Sequence, residues 1–101
     1  MTLPIKIVLR AAREIAEAGH WWQANRPAAP AAVEEELRRA FALLAEQPSV
    51  GARALNTKLA GVRRIYLSRI RYHLYYRVRP SPEVVEVLAL WHASRGSDPG
   101  V

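Results

Sequence analysis

The segment from Arg71 to Val78, RYHLYYRV, carries the side chains best suited to chemistry. Its alternation is typical of a β-strand, in which successive side chains point to opposite faces. One predicted face suits a core and consists of Tyr72, Leu74, Tyr76 and Val78. The other is a row of cations and rings consisting of Arg71, His73, Tyr75 and Arg77. Such a row can hold phosphate and stack on bases. The plainer interpretation is a solvated sheet face on which long side chains pack across strands.

Proton transfer in this chain would depend on histidine. Cleavage of a phosphodiester needs a base, an acid and cationic stabilisation of the transition state. His73 and His92 are the candidates for proton transfer, with Arg71 as the cation. A structural role at the end of a strand is the favoured interpretation of His92. The chain contains no Gly-rich phosphate loop, G-x-S-x-G or H-E-x-x-H motif. These residues therefore favour binding over independent catalysis.

Positive charge is concentrated in the middle of the chain. The 101 residues carry a net charge of +6, and residues 1–46 are balanced. The excess lies in residues 47–82, which contain no acid and the following cations: Arg53, Lys58, Arg63, Arg64, Arg69, Arg71, Arg77 and Arg79. This pattern predicts an acidic partner, which is either nucleic acid or an acidic protein.

Several classes of protein are disfavoured by composition. The chain has no cysteine, so we expect neither disulfides nor a thiolate metal site. Its three histidines are far apart in the sequence, and we predict no metal and no cofactor. No segment has the pattern of a secretory signal or of a membrane span, which predicts a cytoplasmic protein.

The order of predicted elements is strand, helix, helix, strand, strand, strand. A short strand, 3–9, precedes a helix that begins at Arg10 and ends at Asn25, before Pro27. A second helix begins at Pro30 and ends before Pro48. Residues 49–61 are predicted as a loop and residues 93–101 as a loose tail, and the later strands are 62–67, 71–78 and 84–92. We therefore predict one α+β domain, 1–101, with a mostly antiparallel four-stranded sheet packed on an N-terminal two-helix hairpin.

The sequence resembles the RelE/ParE superfamily of toxins from type II toxin–antitoxin systems. The matching segments are LRAAREIAEAGHWW, LLAEQPSVG, GVRRIYLSRIRYHLYYRV and VVEVLALWHASRG, in that order over nearly the whole chain. The chain is more similar to the ParE branch. Residues 93–101 lack the tyrosine that RelE-like ribonucleases often carry there, Lys58 is the only lysine after the hairpin, and the ending has His92 and Arg95.

The resemblance implies a toxin, of the kind associated with plasmid stabilisation, that inhibits DNA gyrase by binding and is neutralised by a cognate antitoxin protein. The expected target-binding residues are Arg64, Arg71, His73, Tyr75, Arg77, His92 and Arg95. The expected antitoxin-binding residues are Trp21, Trp22 and Arg38. Arg63 and Arg64 are adjacent on a strand and must point to opposite faces, and the sequence does not indicate which one is functional.

Two other functions stay open at this point. The first is a RelE-like ribosome-dependent mRNA endoribonuclease. In it Arg64, Arg71 and Arg77 would bind mRNA phosphate, and His73 or His92 would transfer a proton. The second is a nucleic-acid-binding module without toxic action.

Overall fold

A helical hairpin is followed by antiparallel strands that form most of one sheet. The computed structural model describes residues 2–101. Its elements are β1 (Ile5–Ile7), α1 (Leu9–Asn25), α2 (Ala32–Glu46), β2 (Ala52–Arg53), β3 (Arg63–Leu67), β4 (Tyr72–Arg79) and β5 (Val84–His92). The predicted α+β class is confirmed. Within residues 2–101, no helix is long and apolar enough to cross a membrane.

The sheet has five strands in the order β1-β5-β4-β3-β2. Strand β1 pairs in parallel with β5, placing Ile5 opposite Val85, and the other neighbours are antiparallel. The predicted four-stranded sheet is therefore wrong in strand number, and the sheet is mixed. The additional strand, β2, lies in the segment predicted as a loop. It has only two residues, both exposed, so it produces no detectable alternation in the sequence.

Each helix buries one stripe of small and aliphatic side chains. In α1 the buried residues are Ala11 and Ala18, and in α2 they include Val33, Leu37 and Leu44. These spacings of four and seven residues follow the helical period. The first helix ends at Asn25 as predicted, whereas α2 begins two residues after Pro30 because that proline lies in the connecting turn.

The main core lies between the helices and one face of the sheet. The predicted inward residues of β4 are confirmed, since Leu74 and Tyr76 are fully buried and Tyr72 and Val78 pack against the same cluster. The Tyr76 hydroxyl donates to the Pro48 carbonyl at 2.8 Å and accepts from the Gly51 N–H at 2.9 Å. A Cβ atom on Gly51 would lie 2.7 Å from that hydroxyl, so the loop can approach the ring only with glycine at position 51.

A second, smaller cluster lies on the opposite face of the sheet. It consists of Val62, Tyr75, Leu88 and Ala89. Strand β5 is buried from Val85 to Leu90, as predicted for a strand covered on both sides.

The C-terminal residues 93–101, predicted as a loose tail, contact the side of the sheet that carries the second cluster. Trp91 Nε1 donates to the Ser97 carbonyl at 2.8 Å. Two backbone N–H groups, those of Lys58 and Leu59, donate to the main-chain oxygen of Val101. Val101 packs against the second cluster, so the segment covers part of this face.

Candidate functional site

A group of cationic and aromatic side chains lies on the side of the sheet away from the helices. We call this group the open face, and it consists of Arg64, Tyr66, His73 and Tyr75. The pairing of β3 with β4 sets Arg64 opposite Tyr75 and Tyr66 opposite His73. Arg64 Nη1 donates to the Tyr75 hydroxyl at 3.1 Å, and the ring centroids of Tyr66 and His73 are 5.0 Å apart. The pairing register therefore presents one guanidinium beside three rings in a fixed arrangement.

The imidazole of His73 is held in its neutral form. Burial lowers the pKa of His73, and the nearby positive charge of Arg64 lowers it further. Its Nδ1 is buried and has no hydrogen-bond partner among residues 2–101. At neutral pH this side chain therefore contributes a ring surface rather than a positive charge.

Arg63 and Arg64 have different surroundings, which separates their roles. Arg63 Nη1 donates to the Gly51 carbonyl at 2.8 Å in a partly buried position. Arg64 is exposed, and its guanidinium contacts the Tyr75 ring and hydroxyl. Arg63 is thus engaged in holding the loop before β2, whereas the Arg64 side chain is exposed on the open face.

Arg77 faces the same side as His73 but forms an internal ion pair. Its Nε donates to Glu86 at 2.7 Å, and Arg79 lies 3.6 Å from the other oxygen of the same carboxylate. The Glu86 side chain is only 6% exposed, so it requires cations to offset its desolvation. The charge of Arg77 therefore serves the fold, and the predicted row of Arg71, His73, Tyr75 and Arg77 is not uniform in character.

Arg71 lies in the turn between β3 and β4, whereas it was predicted to be the first residue of a strand, 71–78. Its backbone has a φ of 62°, a conformation that favours glycine or asparagine. The turn is closed by its N–H, which donates to the Leu67 carbonyl at 2.8 Å, and its own carbonyl accepts from Ala93 at 2.9 Å. The prediction that Arg71 shares a face with His73 is wrong, because the positive φ turns the chain before β4 begins.

Arg71 and His92 meet in a cavity that we call the end pocket. This cavity of about 650 Å³ lies where the C-terminal end of α1, the β3–β4 turn and the end of β5 come together. Its lining includes Trp21, Trp22, Arg26, Arg71, Tyr72 and His92. The pocket thus joins two residues predicted to bind the target with two predicted to bind the antitoxin.

Aromatic and cationic groups together line the end pocket. The rings of Trp21 and Trp22 meet edge to face at 6.0 Å, and the Arg26 guanidinium lies 5.3 Å from the Trp21 ring. Tyr72 and His92 form a similar pair at 5.0 Å. Burial raises the pKa of Tyr72, so its hydroxyl stays protonated.

The His92 ring has a fixed tautomer. The backbone N–H of Ser94 donates to His92 Nδ1 at 3.1 Å, and its hydroxyl lies 2.6 Å from the same atom. Because a backbone N–H can only donate, Nδ1 accepts, and the proton of the neutral ring is on Nε2. His92 is therefore a donor through Nε2.

Sequence reasoning missed Arg26 and Arg69 as members of the end pocket. Arg26 follows Trp22 by four residues at the helix end, and this spacing was the signal in the sequence for its contact with the indole rings. Arg69 lies in the β3–β4 turn, and its charge is partly neutralised by Glu35 at 3.1 Å. No local pattern brings Arg69 to α1, since their proximity depends on the packing of the turn against the helices.

Arg95 packs over an aromatic ring beside the open face. Its guanidinium lies 4.0 Å from the centroid of Trp91, and Trp91 is paired in register with His73. Contacts of this kind hold a cation against a ring at modest cost in solvation. Arg95 thus extends the cationic and aromatic character of the open face toward β5.

A third surface, which we call the helix groove, is mainly apolar. It is a depression of about 450 Å³ between β1 and the two helices, lined by Ile7, Ile15, Val33, Leu37 and Phe41, with Arg38 and Glu34 beside them. Arg38 is exposed and pairs with Glu34 at 3.1 Å. Of the three residues predicted to bind the antitoxin, Arg38 lies at this groove, and the two tryptophans lie in the end pocket.

Comparison with known proteins gives the family. A family described as the ParE toxin of type II toxin-antitoxin system, parDE, matches residues 5–96. The chain belongs to the ParE toxin family. Comparison with curated protein sequences gives no match.

Solved structures of low sequence identity share the fold. A chromosomal ParDE TA system from P. aeruginosa matches with a TM-score of 0.72 and 16% identity, covering 92% of this chain and 98% of that one. A YoeB/ParE toxin from Agrobacterium tumefaciens matches with a TM-score of 0.61 and 17% identity, covering 89% and 98%. A double mutant of the E. coli toxin RelE in the free state matches with a TM-score of 0.60 and 21% identity, covering 93% and 86%. The ParE-family chain therefore has a fold that is common to ParE and RelE toxins.

Proposed function

We propose that this ParE-family toxin acts by binding DNA gyrase through its open face, without cutting RNA. The observation that carries the proposal is the separation of the two histidines. His73 is paired with Trp91, whereas His92 is paired with Tyr72, so the two imidazoles occupy opposite faces of the sheet. His73 belongs to the open face and His92 lines the end pocket.

This separation disfavours the ribonuclease alternative. A general acid and a general base must both reach the same phosphodiester, within about 3 Å of the atoms that they protonate or deprotonate. Two groups on opposite sides of a sheet cannot do so. His73 also lacks the positive charge that an acid would need, because its pKa is lowered.

The open face has the properties of a protein-binding surface. Arg and Tyr are the residue types most often responsible for binding energy at interfaces. Tyr66 is 51% exposed, and the hydrogen bond to Tyr75 already restrains the Arg64 guanidinium. Restraint before binding reduces the entropy lost on association. The resemblance to the ParE branch points to gyrase as the target, and the exposed positive charge of Arg64 suits an enzyme that binds DNA.

The antitoxin is proposed to lie in the helix groove as an amphipathic helix. Such helices place apolar side chains at intervals of three or four residues into grooves of this kind. Ile7 is 39% exposed at the β1 side of the groove, and Arg38 can pair with an acidic side chain of the bound helix. Replacing Ile7 by lysine is expected to weaken the complex with the cognate antitoxin, measured by titration calorimetry, whereas Arg53→Ala leaves it unchanged.

Two assays at equal protein concentration test the proposed target. Purified toxin is added to a gyrase supercoiling reaction and to an in vitro translation reaction. We expect loss of supercoiling with translation intact, and we expect Arg64→Ala to need about tenfold more protein for the same inhibition. Arg53→Ala, which removes an equal charge from β2, is the control. Intact supercoiling together with cut mRNA would reject the proposal in favour of the endoribonuclease, and activity in neither assay would reject both.

A further inference from the structure

We propose that the end pocket binds a nucleotide through its terminal phosphate and its base. This site is separate from the proposed target-binding and antitoxin-binding surfaces, because neither the open face nor the helix groove contributes to the cavity.

The positively charged side chains of the end pocket favour binding of an anion. Three guanidinium groups line it, and only Arg69 is neutralised by ion pairs, with Glu35 and Glu36. Within the part of the chain that the structure describes, Arg26 and Arg71 form no ion pair. Two uncompensated guanidinium groups at one cavity match the double charge of a terminal phosphate better than the single charge of a carboxylate.

The backbone at Arg71 gives independent support. A side chain other than glycine at a φ of 62° carries a conformational cost. A cost of this kind is commonly found where a side chain has to be held in a site. The turn itself would close at lower cost with glycine, so turn formation alone does not account for arginine at this position.

The aromatic groups add a surface for a base. Trp21 is 49% exposed, and Arg26 lies against both indole rings. His92 offers a hydrogen-bond donor through Nε2. Bases stack on such rings without preference for sequence.

The size of the cavity fits this ligand. A volume of about 650 Å³ is within the range of small-molecule sites and exceeds what a single phosphate fills. A bare phosphate would use the guanidinium groups and leave both indoles without a contact. A nucleotide uses both sets of groups.

Fluorescence titration with deoxyadenosine 5′-monophosphate tests the proposal. We expect saturable quenching with a dissociation constant below about 1 mM, and binding at least about tenfold weaker for inorganic phosphate and for deoxyadenosine. Trp91→Phe should keep the quenching and Trp21→Phe should lose most of it, because Trp91 lies outside the pocket. Equal affinity for nucleotide and inorganic phosphate, or no saturable binding, overturns the proposal.

Charge variants identify the site. Arg71→Gly relieves the backbone and removes the cation, and Arg26→Ala removes the other one. Each is expected to weaken nucleotide binding about tenfold or more, whereas Arg53→Ala changes it less than about twofold. An equal loss in all three variants would indicate only diffuse attraction to a basic protein and would overturn the assignment.

A 5′-phosphorylated trinucleotide and its unphosphorylated form distinguish the source of the ligand. Affinity equal to that of the mononucleotide indicates a pocket for free nucleotides. If the phosphorylated trinucleotide binds about tenfold more tightly than the mononucleotide and the unphosphorylated form does not, the pocket binds the 5′ end of a nucleic-acid strand. If a peptide containing tryptophan and aspartate binds in the pocket and none of the nucleotides does, the proposal is rejected.

Discussion

Arg63 is hydrogen-bonded to Gly51, and this contact distinguishes it from its neighbour Arg64. The Arg63 guanidinium donates to the Gly51 carbonyl at 2.8 Å on the helix side of the sheet, close to the Tyr76 hydroxyl that accepts the Gly51 N–H. Arg64 points to the open face and contacts Tyr75. One residue of the Arg-Arg pair therefore supports the loop before β2, and the other is available to a partner.

Substituting the two arginines should separate stability from toxicity. Arg63→Ala removes a charge-assisted hydrogen bond in a partly buried position and is expected to lower the free energy of unfolding by about 2 kcal/mol. Arg64→Ala should leave stability nearly unchanged and relieve growth arrest when the toxin is expressed without its antitoxin. Urea unfolding and a growth assay measure the two effects. Full toxicity of a folded Arg64→Ala protein would refute the assignment of the open face.

Gly51 should tolerate no larger residue. The added Cβ of Gly51→Ala would lie 2.7 Å from the Tyr76 hydroxyl and 2.9 Å from the Arg64 carbonyl oxygen. We expect the free energy of unfolding to fall by about 2 kcal/mol, which is typical of overpacking. Gly96→Ala is the matched control, because a Cβ there meets nothing within 4 Å. Equal thermal midpoints for the two variants would contradict the described approach of the loop to Tyr76.

Arg71→Gly should stabilise the fold although it removes a side chain. Glycine adopts the φ of 62° without the cost that other residues incur, and this gain exceeds its larger loss of entropy on folding. The expected gain is roughly 0.5–1 kcal/mol, measured by chemical unfolding. Arg71→Ala serves as the control, since alanine is strained at this φ as arginine is, and it should show no gain. A less stable glycine variant would mean that the guanidinium itself contributes to folding.

The ion pair between Arg77 and Glu86 should be structural. Arg77→Ala leaves the buried carboxylate of Glu86 with only the more distant Arg79, so we expect a loss of about 2–3 kcal/mol. Arg79→Ala, which removes the longer contact of a half-exposed side chain, should cost clearly less. Unfolding curves at pH 7 compare the two. Equal losses of unfolding free energy in the two variants would show that the 2.7 Å contact between Arg77 and Glu86 stabilises the fold no more than the contact of Arg79 does.

Acidification should destabilise the fold through His73. Burial and Arg64 lower its pKa in the folded state, so below about pH 6.5 the unfolded chain binds a proton that the folded protein excludes. Stability should therefore fall as the pH decreases from 7 through 6. The rings of Tyr66 and Tyr75 also face this imidazole, with centroids 5.0 Å and 6.4 Å from it.

Replacing His73 by phenylalanine isolates this contribution. The variant should show a smaller difference in unfolding free energy between pH 7 and pH 6 than the unmodified protein. His20→Phe, on the exposed surface of α1, is the control for loss of a histidine. Identical slopes for the unmodified and His73→Phe proteins would argue against a buried neutral imidazole.

The sequence predicts those parts of the fold that depend on local periodicity. The helices, the later strands and the inward placement of Tyr72, Leu74, Tyr76 and Val78 all follow from the spacing of apolar residues. Strand β2 was not predicted, because two exposed residues show no periodicity. Arg71 was predicted to lie in a strand, because the residue type arginine gives no indication of a positive φ. The end pocket is assembled from α1, the β3–β4 turn and β5. Its composition depends on tertiary packing, which no local pattern encodes.

The parallel pairing of β1 with β5 has a consequence for the order of folding. Ile5 lies opposite Val85, so the first strand finds its neighbour only after about eighty further residues have been translated. Closing so long a loop is slow, and proteins rich in such distant contacts fold more slowly than those held by local ones. A nascent chain that lacks β5 has neither the partner of β1 nor the outer neighbour of β4. The growing polypeptide therefore cannot complete its sheet until the last strand has been translated.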